Sequence, residues 1–189
     1  MKLLEDRILQ DGKVLPGDIL KVDSFLNHQV DPKLFMEMGK DFYERFKDKN
    51  ITKVLTLEVS GIGIAFAAAY YFGVPMVFAK KIQSLTLQGD LYEAKVRSYT
   101  KNIDYMIRVD KRFLSEDDNV LIIDDFLARG EALKGMISLC EQAGAKVAGI
   151  GIAIEKSFQG GGKITRDMGY EVYSQAVIKE FDGDRVIFE

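Results

Sequence analysis

The run Val120-Leu121-Ile122-Ile123-Asp124-Asp125-Phe126-Leu127-Ala128-Arg129-Gly130-Glu131-Ala132-Leu133 holds the residues best placed to do chemistry. Its four large aliphatics make a strand buried on both faces, where a charged carboxylate would be costly. Asp124 and Asp125 are therefore expected where the strand leaves the sheet, the edge at which open parallel sheets bind ligands. Adjacent strand residues point to opposite sides, so both acids reach one ligand only if the backbone is already turning. Two neighbouring carboxylates accept hydrogen bonds from a diol, which offers two hydroxyl donors side by side. Behind them, Ala128 to Ala132 is small apart from Arg129 and Glu131 and leads into a helix. Amides at a helix start suit a phosphate, small residues let the backbone come close, and Arg129 adds charge. The same residues also read as a helix cap beside a solvated turn. Diol acceptors joined to a phosphate nest in one strand–loop–helix favour a site.

A second candidate is Glu58-Val59-Ser60-Gly61-Ile62-Gly63. A serine and glycines opening a helix offer hydroxyl and amide donors to an anion, or make a plain capped turn. His28 and Cys140 each stand alone, so neither a metal cluster nor a nucleophile–base pair is in prospect. Cys140 lies in the helical run Leu133 to Ala143 and reads as core. A thiol without an internal partner suits a reducing compartment, so a cytoplasmic location is expected. The net charge of −3 leaves little counterion release to gain and argues against nucleic acid as a partner.

The elements that must hold these residues follow from pattern. Residues 2 to 11 read as an amphipathic helix with Leu3, Leu4, Ile8 and Leu9 inward. Gly17 to Val30 has no clear period. Asp31-Pro32 starts a helix running to about Lys47, with Leu34, Phe35, Met38, Phe42 and Phe46 on one face. Strand Lys53–Leu57, helix Gly61–Phe72, strand Met76–Ala79, strand Val120–Ile123, a helix from about Gly130 to Ala143 and strand Lys146–Ile154 then alternate. Short apolar strands separated by helices predict an α/β fold, a parallel twisted sheet flanked by helices. Further strands are expected near Glu171–Ile178 and Arg185–Phe188. Lys80 to Lys101 is polar, lysine-bearing and too long for an ordinary connection. Gly61 to Ala79 is uncharged and almost long enough to span a bilayer, but Gly73-Val74-Pro75 cuts it into helix and strand, so no membrane segment is expected. One domain over residues 1–189 is expected, with residues 1–30 a small appended layer.

The acidic pair with its following loop resembles the phosphoribosyl diphosphate signature of the type I phosphoribosyltransferases. Leu20-Lys21-Val22-Asp23-Ser24-Phe25-Leu26-Asn27-His28-Gln29, Ser84-Leu85-Thr86-Leu87 and Ile154-Glu155-Lys156-Ser157-Phe158 resemble the bacterial xanthine phosphoribosyltransferases among them. The resemblance implies transfer of a phosphoribosyl group to an oxopurine, with xanthine ahead of guanine and hypoxanthine. It assigns the ribose hydroxyls to Asp124 and Asp125, the 5-phosphate to Ala128, Arg129, Gly130, Glu131 and Ala132, and the diphosphate to Ser60 and Gly61. Lys80, Lys81 and the loop after them resemble the family's lid, often supplied across a homodimer. Lys156, Asn27 and Leu20 would form the base pocket, the latter two from a hood over residues 1–30. A lysine only donates hydrogen bonds, so Lys156 suits a carbonyl oxygen and meets adenine's amino group donor to donor. Phe158 would pack near the ring or in the core. Mg²⁺ is implied, bound through the substrate. Two departures stand out: the loop lacks the threonines common in relatives, and Ala128 lies where hypoxanthine–guanine relatives carry an aspartate proposed as base, so no general base is assigned. A phosphoribosyl-diphosphate-binding regulator would need a DNA-binding segment, yet only about fifty residues precede the first core strand. A dinucleotide oxidoreductase would need more of a glycine fingerprint than Gly61-Ile62-Gly63.

Overall fold

The computed structural model describes residues 1–81, 89–98 and 103–189. In chain order the elements are helix α1 (Lys2–Asp11), strands β1 (Lys13–Leu15) and β2 (Ile19–Lys21), a π-helical turn (Asp23–Asn27), helix α2 (Pro32–Phe46), strand β3 (Lys53–Leu57), helix α3 (Gly61–Phe72), strands β4 (Met76–Ala79), β5 (Leu91–Ser98), β6 (Ile103–Asp110) and β7 (Asn119–Leu127), helix α4 (Glu131–Ala143), strand β8 (Lys146–Lys156), helix α5 (Gly161–Asp167), and strands β9 (Val172–Asp182) and β10 (Arg185–Phe188). Six strands form one sheet in the order β10-β9-β8-β7-β3-β4, parallel except for β10, which runs antiparallel to β9.

The sheet is covered on both faces, as its two-sided apolar strands require. One face packs under α2 and α3, with Phe35, Met38, Phe42 and Ile64 over Leu121, Ile123, Ala153 and Ala176; α1 and the β1–β2 hairpin extend this layer. The other face packs under α4 and the β5–β6 hairpin, with Leu133, Met136, Ile137, Ala94 and Ile107 over Leu55, Val120, Ile122 and Ile152. The predicted starts and stops hold. The Asp31 carboxylate accepts from the amides of Lys33 and Leu34 at the head of α2, with Pro32 in its first turn. Gly73, at φ 66°, ends α3. Among the described residues no helix is long and apolar enough to cross a membrane.

Three expectations need correction, and two stretches without a predicted element take form. Leu3 and Leu9 are about half exposed, and only Leu4 and Ile8 of α1 are buried. Residues i and i+4 share a helix face, whereas a neighbour is turned 100° away, too far for so narrow a stripe. The segment after Lys80 is more than a long connection, since β5 pairs with β6 from Leu91↔Asp110 to Ser98↔Ile103. Gly17 to Val30 supplies β2 and the π-helical turn, and the glycine run before Lys163 opens α5. Finally, β7 does not stop at Ile123 but pairs with β8 as far as Leu127↔Glu155, so the two acids lie within the strand.

The required turn of backbone is present all the same. Ile123 and Phe126 both face the α2–α3 layer, while Ile122 and Leu127 face the α4 layer. Strict alternation would put residues three apart on opposite faces, so the strand rotates at Asp124-Asp125. Ala153 and Ile154 of β8, adjacent yet on one face, rotate with it.

Glycines set the distance between α2 and what lies beneath it. A Cβ at Gly39 would fall 2.5 Å from the backbone carbon of Ala67 on α3, and Cβ atoms at Gly149 and Gly151 would strike the rings of Phe46 and Phe42. Gly39→Ala is expected to lower unfolding stability by about 1–3 kcal/mol. A urea midpoint equal to that of the unsubstituted protein would contradict such close helix contact.

Candidate active site

Every candidate from the sheet sits at or near the carboxyl ends of its parallel strands. Asp124 is 7 % exposed and Asp125 half-buried, and the Asp125 amide donates to Asp124 Oδ1 at 3.0 Å. Burial first, and then the neighbouring Asp125 carboxylate, push the Asp124 carboxyl well above the usual range. Burial also raises Asp125, against the hydrogen bond that links the pair. The Lys81 charge opposes both shifts. Its Nζ lies 5.5 Å from the centre of the Tyr105 ring, and burial followed by the Asp124 charge raises the Tyr105 phenol. The pair is therefore short of hydration, and Lys81, from the segment after β4, offsets part of that cost.

The end of β3 converges on the same place. Ser60 precedes α3 without capping it through its hydroxyl. At Gly61 a Cβ would stand 2.2 Å from Thr56 Oγ1 and 3.4 Å from Asp124 Oδ1, so only glycine lets the helix start approach the acid. Thr56 Oγ1 is buried without a protein partner. The Glu58–Val59 peptide is cis. Glu58 Oε1 accepts from the Lys81 amide at 2.5 Å, which ties this loop to Lys81.

After β7, Ala128 to Ala132 borders a pocket of about 240 Å³ that Tyr105 and Phe126 also line. Gly130 takes φ 83°, a conformation open to glycine at little cost, and heads α4. Arg129 is exposed, and Glu131 pairs with Lys134 at 2.8 Å. The Ala128 carbonyl accepts from the Gly161 amide at 3.0 Å, so the start of α5 backs the loop.

Lys156, the last residue of β8, is half-buried. Its Nζ donates to the Asp18 carbonyl at 2.6 Å and lies 5.5 and 5.8 Å from the ring centres of Phe126 and Phe181. Burial lowers its pKa, against the Asp18 charge. Phe126 thus joins the lysine to the pocket beside the acidic pair. Of the hood residues, Leu20 is buried in the core and Asn27 is exposed at the end of the π-helical turn; it is Asp18, from the same layer, that meets Lys156. Phe158 is 41 % exposed and packs edge-on to Phe181. Ser84-Leu85-Thr86-Leu87 and Lys101 lie outside the described residues.

Sequence reasoning missed three contributors here. Tyr105 sits on a strand that was not read. Gly161 had a visible signal in the run Gly160-Gly161-Gly162. Asp18 acts through its main chain, which no side-chain pattern marks.

The phosphoribosyl transferase domain family matches residues 24–176. The xanthine phosphoribosyltransferase of Ruminiclostridium cellulolyticum is 56% identical over 188 residues, which span 100% of this chain and 99% of that protein. That of Finegoldia magna is 56% identical over 189 residues, 100% of each. Among solved structures, adenine phosphoribosyltransferase from Rhodothermus marinus superposes with a TM-score of 0.74 at 21% identity, over 94% of this chain and 100% of that one. APRTase from Giardia lamblia, complexed with 9-deazaadenine, gives 0.76 at 24%, over 94% and 98%. Those two share the parallel sheet with its helices on either side. The family match takes in most of the chain, the full-length relatives are more than half identical to it, and the chain belongs to the phosphoribosyl transferase domain family.

Proposed function

We propose that this chain transfers the phosphoribosyl group of phosphoribosyl diphosphate to xanthine, giving xanthosine monophosphate and diphosphate in purine salvage. One observation supports the reading: at the carboxyl ends of neighbouring strands the Gly61 helix start closes on Asp124, and Phe126, next to Asp125, borders the pocket of the 128–132 loop on one side and Lys156 on the other. The names of the full-length relatives supply the base.

In this reading the ribose hydroxyls donate to Asp124 and Asp125. Each hydroxyl that donates favours the ionised carboxylate that burial resists, so diol binding offsets the cost of charging the pair. The amides of Ala128 to Ala132 and the Arg129 guanidinium hold the 5-phosphate. Ser60, whose hydroxyl is not spent on a cap, the Gly61 amide and Lys81 face the diphosphate. Lys156 has three donors; one goes to Asp18, and the remaining two can meet a base carbonyl. The second carbonyl of xanthine calls for another donor, the role of Asn27, with Leu20 beneath the ring. The purine nitrogen attacks the anomeric carbon as diphosphate leaves, and water must be kept from competing as nucleophile.

The described residues hold no cluster of three acidic, histidine or cysteine groups able to cage a metal. Two carboxylates beside a diphosphate do fit Mg²⁺ held chiefly by substrate oxygens, with Asp124 and Asp125 as the nearest protein donors. Such an ion would neutralise charge on the departing diphosphate. The reading includes a homodimer in the cytoplasm. Phe66 and Tyr70, 61 and 67 % exposed and four apart on α3, offer an apolar surface to a second copy. A lone cysteine with no internal disulfide partner suits a reducing compartment.

A panel of purine bases with phosphoribosyl diphosphate and Mg²⁺ tests the reading through nucleotide formation. Preference for guanine or hypoxanthine over xanthine would replace the substrate and keep the chemistry; no nucleotide from any base would remove the chemistry. Lys156→Ala is expected to cut kcat/KM for xanthine by about 10- to 100-fold with little change in phosphoribosyl diphosphate use. Equal losses in both would contradict its role. Asp124→Asn with Asp125→Asn should lower turnover on the order of 10²–10³-fold; near-normal rates would take the pair out of the site.

Burial also sets a pH-dependent cost. The folded pKa of Asp124 lies above its unfolded value, so between the two the folded chain keeps a proton that the unfolded chain has lost. Stability is therefore fullest below the unfolded value and falls as pH rises through the folded one. Asp124→Asn is neutral throughout and should raise the Tm by about 2–4 °C at neutral pH, with the gap closing near pH ~3. Thermal melts at both pH values check this; a lower Tm in the variant at neutral pH would count against an unfavourably buried charge.

A further inference from the structure

Lys156 follows Glu155, which is 1 % exposed and pairs in register with Leu127, the residue just before the 128–132 loop. A buried carboxylate needs compensation, and Glu155 has it in full. Arg166 grips it with both nitrogens of its fork, Nη1 to Oε1 at 2.8 Å and Nη2 to Oε2 at 2.7 Å, and the Ser174 hydroxyl donates to Oε2. Burial would push this carboxyl up, but the two partners outweigh it and hold it below the ordinary range.

Arg166 belongs to α5, seven residues long and too short to place itself. The ion pair fixes it against β8, and within α5 the Thr165 hydroxyl donates back to the Gly161 carbonyl at 2.8 Å. Both glycines at the head of α5 are in forced contact. A Cβ at Gly162 would lie 1.8 Å from Glu155 Oε1. One at Gly161 would lie 2.4 Å from the Ala128 carbonyl oxygen, 2.7 Å from the Arg129 carbonyl carbon and 2.7 Å from the Gly130 nitrogen. The backbone of α5 is therefore wedged between the carboxylate and the loop.

We propose that Glu155 and Arg166 are positioning residues for the 128–132 loop, acting through the glycine backbone of Gly161 and Gly162 without touching substrate. This rests on the reading of that loop as the seat of the sugar phosphate. Loop amides that must meet a phosphate oxygen tolerate displacements of only a fraction of an ångström, and a small tilt of α5 would exceed that.

Steady-state kinetics on Arg166→Ala, Arg166→Lys and Gly161→Ala, with xanthine and phosphoribosyl diphosphate varied separately and a thermal melt of each, test the proposal. Arg166→Ala and Gly161→Ala are expected to raise the KM for phosphoribosyl diphosphate on the order of ten- to a hundredfold and leave that for xanthine near its starting value. Arg166→Lys keeps the charge but loses the fork, and should fall between. Should Arg166→Ala fail to fold, Arg166→Lys carries the test of the pair, and Gly161→Ala moves the loop with the ion pair intact. Equal factors on both KM values, or a lowered Tm with both KM values unchanged, would overturn the proposal. Failure of the unsubstituted protein to make nucleotide is a separate outcome, which overturns the functional reading and this proposal together.

Discussion

Two carboxylates share a strand that is otherwise apolar, and the surrounding structure is organised by the difficulty of keeping charge there. Asp124 has lost most of its water, and its nearest ionisable neighbour carries the same sign. Relief is partial: a single amide from Asp125, a lysine charge from another element, and the close helix start that Gly61 permits. The pair is thus unfavourable at one point, where hydroxyl donors and a counter-charge would bring relief. Such a cost persists only between rigid walls, since softer surroundings would relax around the acids.

Rigidity comes from close backbone contacts on both sides of the sheet. The rings of Phe42 and Phe46 rest on glycines of β8, α2 meets α3 where Gly39 faces Ala67, and α5 lies hard against the loop after β7. Strand β8 is the common member. It carries Lys156, supports the ring layer and holds the carboxylate that anchors α5, so the lysine and the backing of the 128–132 loop share one rod.

Much of this is legible in the residues themselves. Uninterrupted aliphatic runs such as Val120–Ile123 specify a strand covered on both faces, and Asp31-Pro32 and Gly73 mark helix ends through backbone rules that act locally. The acidic pair was found because burying charge is costly, though the same argument ended the strand four residues early. Pairing with β8 continued through the acids because a rotation of the backbone turned them without breaking the ladder. The β5–β6 hairpin was hidden by its charges, although buried Ala94 and Val96 alternate with exposed Glu93, Lys95 and Arg97 in the two-residue period of a half-buried strand. Helix α5 is too short for periodicity to reveal. Its place depends on a contact between residues eleven apart, Glu155 and Arg166, which no local pattern encodes.

The partner of Lys156 has a different kind of consequence. Asp18 meets the lysine through its peptide carbonyl, in a turn where Gly17 and Asp18 take φ 82° and 60°. A peptide oxygen survives every amino-acid exchange at its own position, so replacing Asp18 by asparagine or glycine, which tolerate that backbone, leaves the acceptor in place. Exchange at this position is limited by handedness and by the charge that Asp18 sets beside the lysine, while the oxygen holding the lysine still belongs to the main chain and outlasts the loss of any side chain.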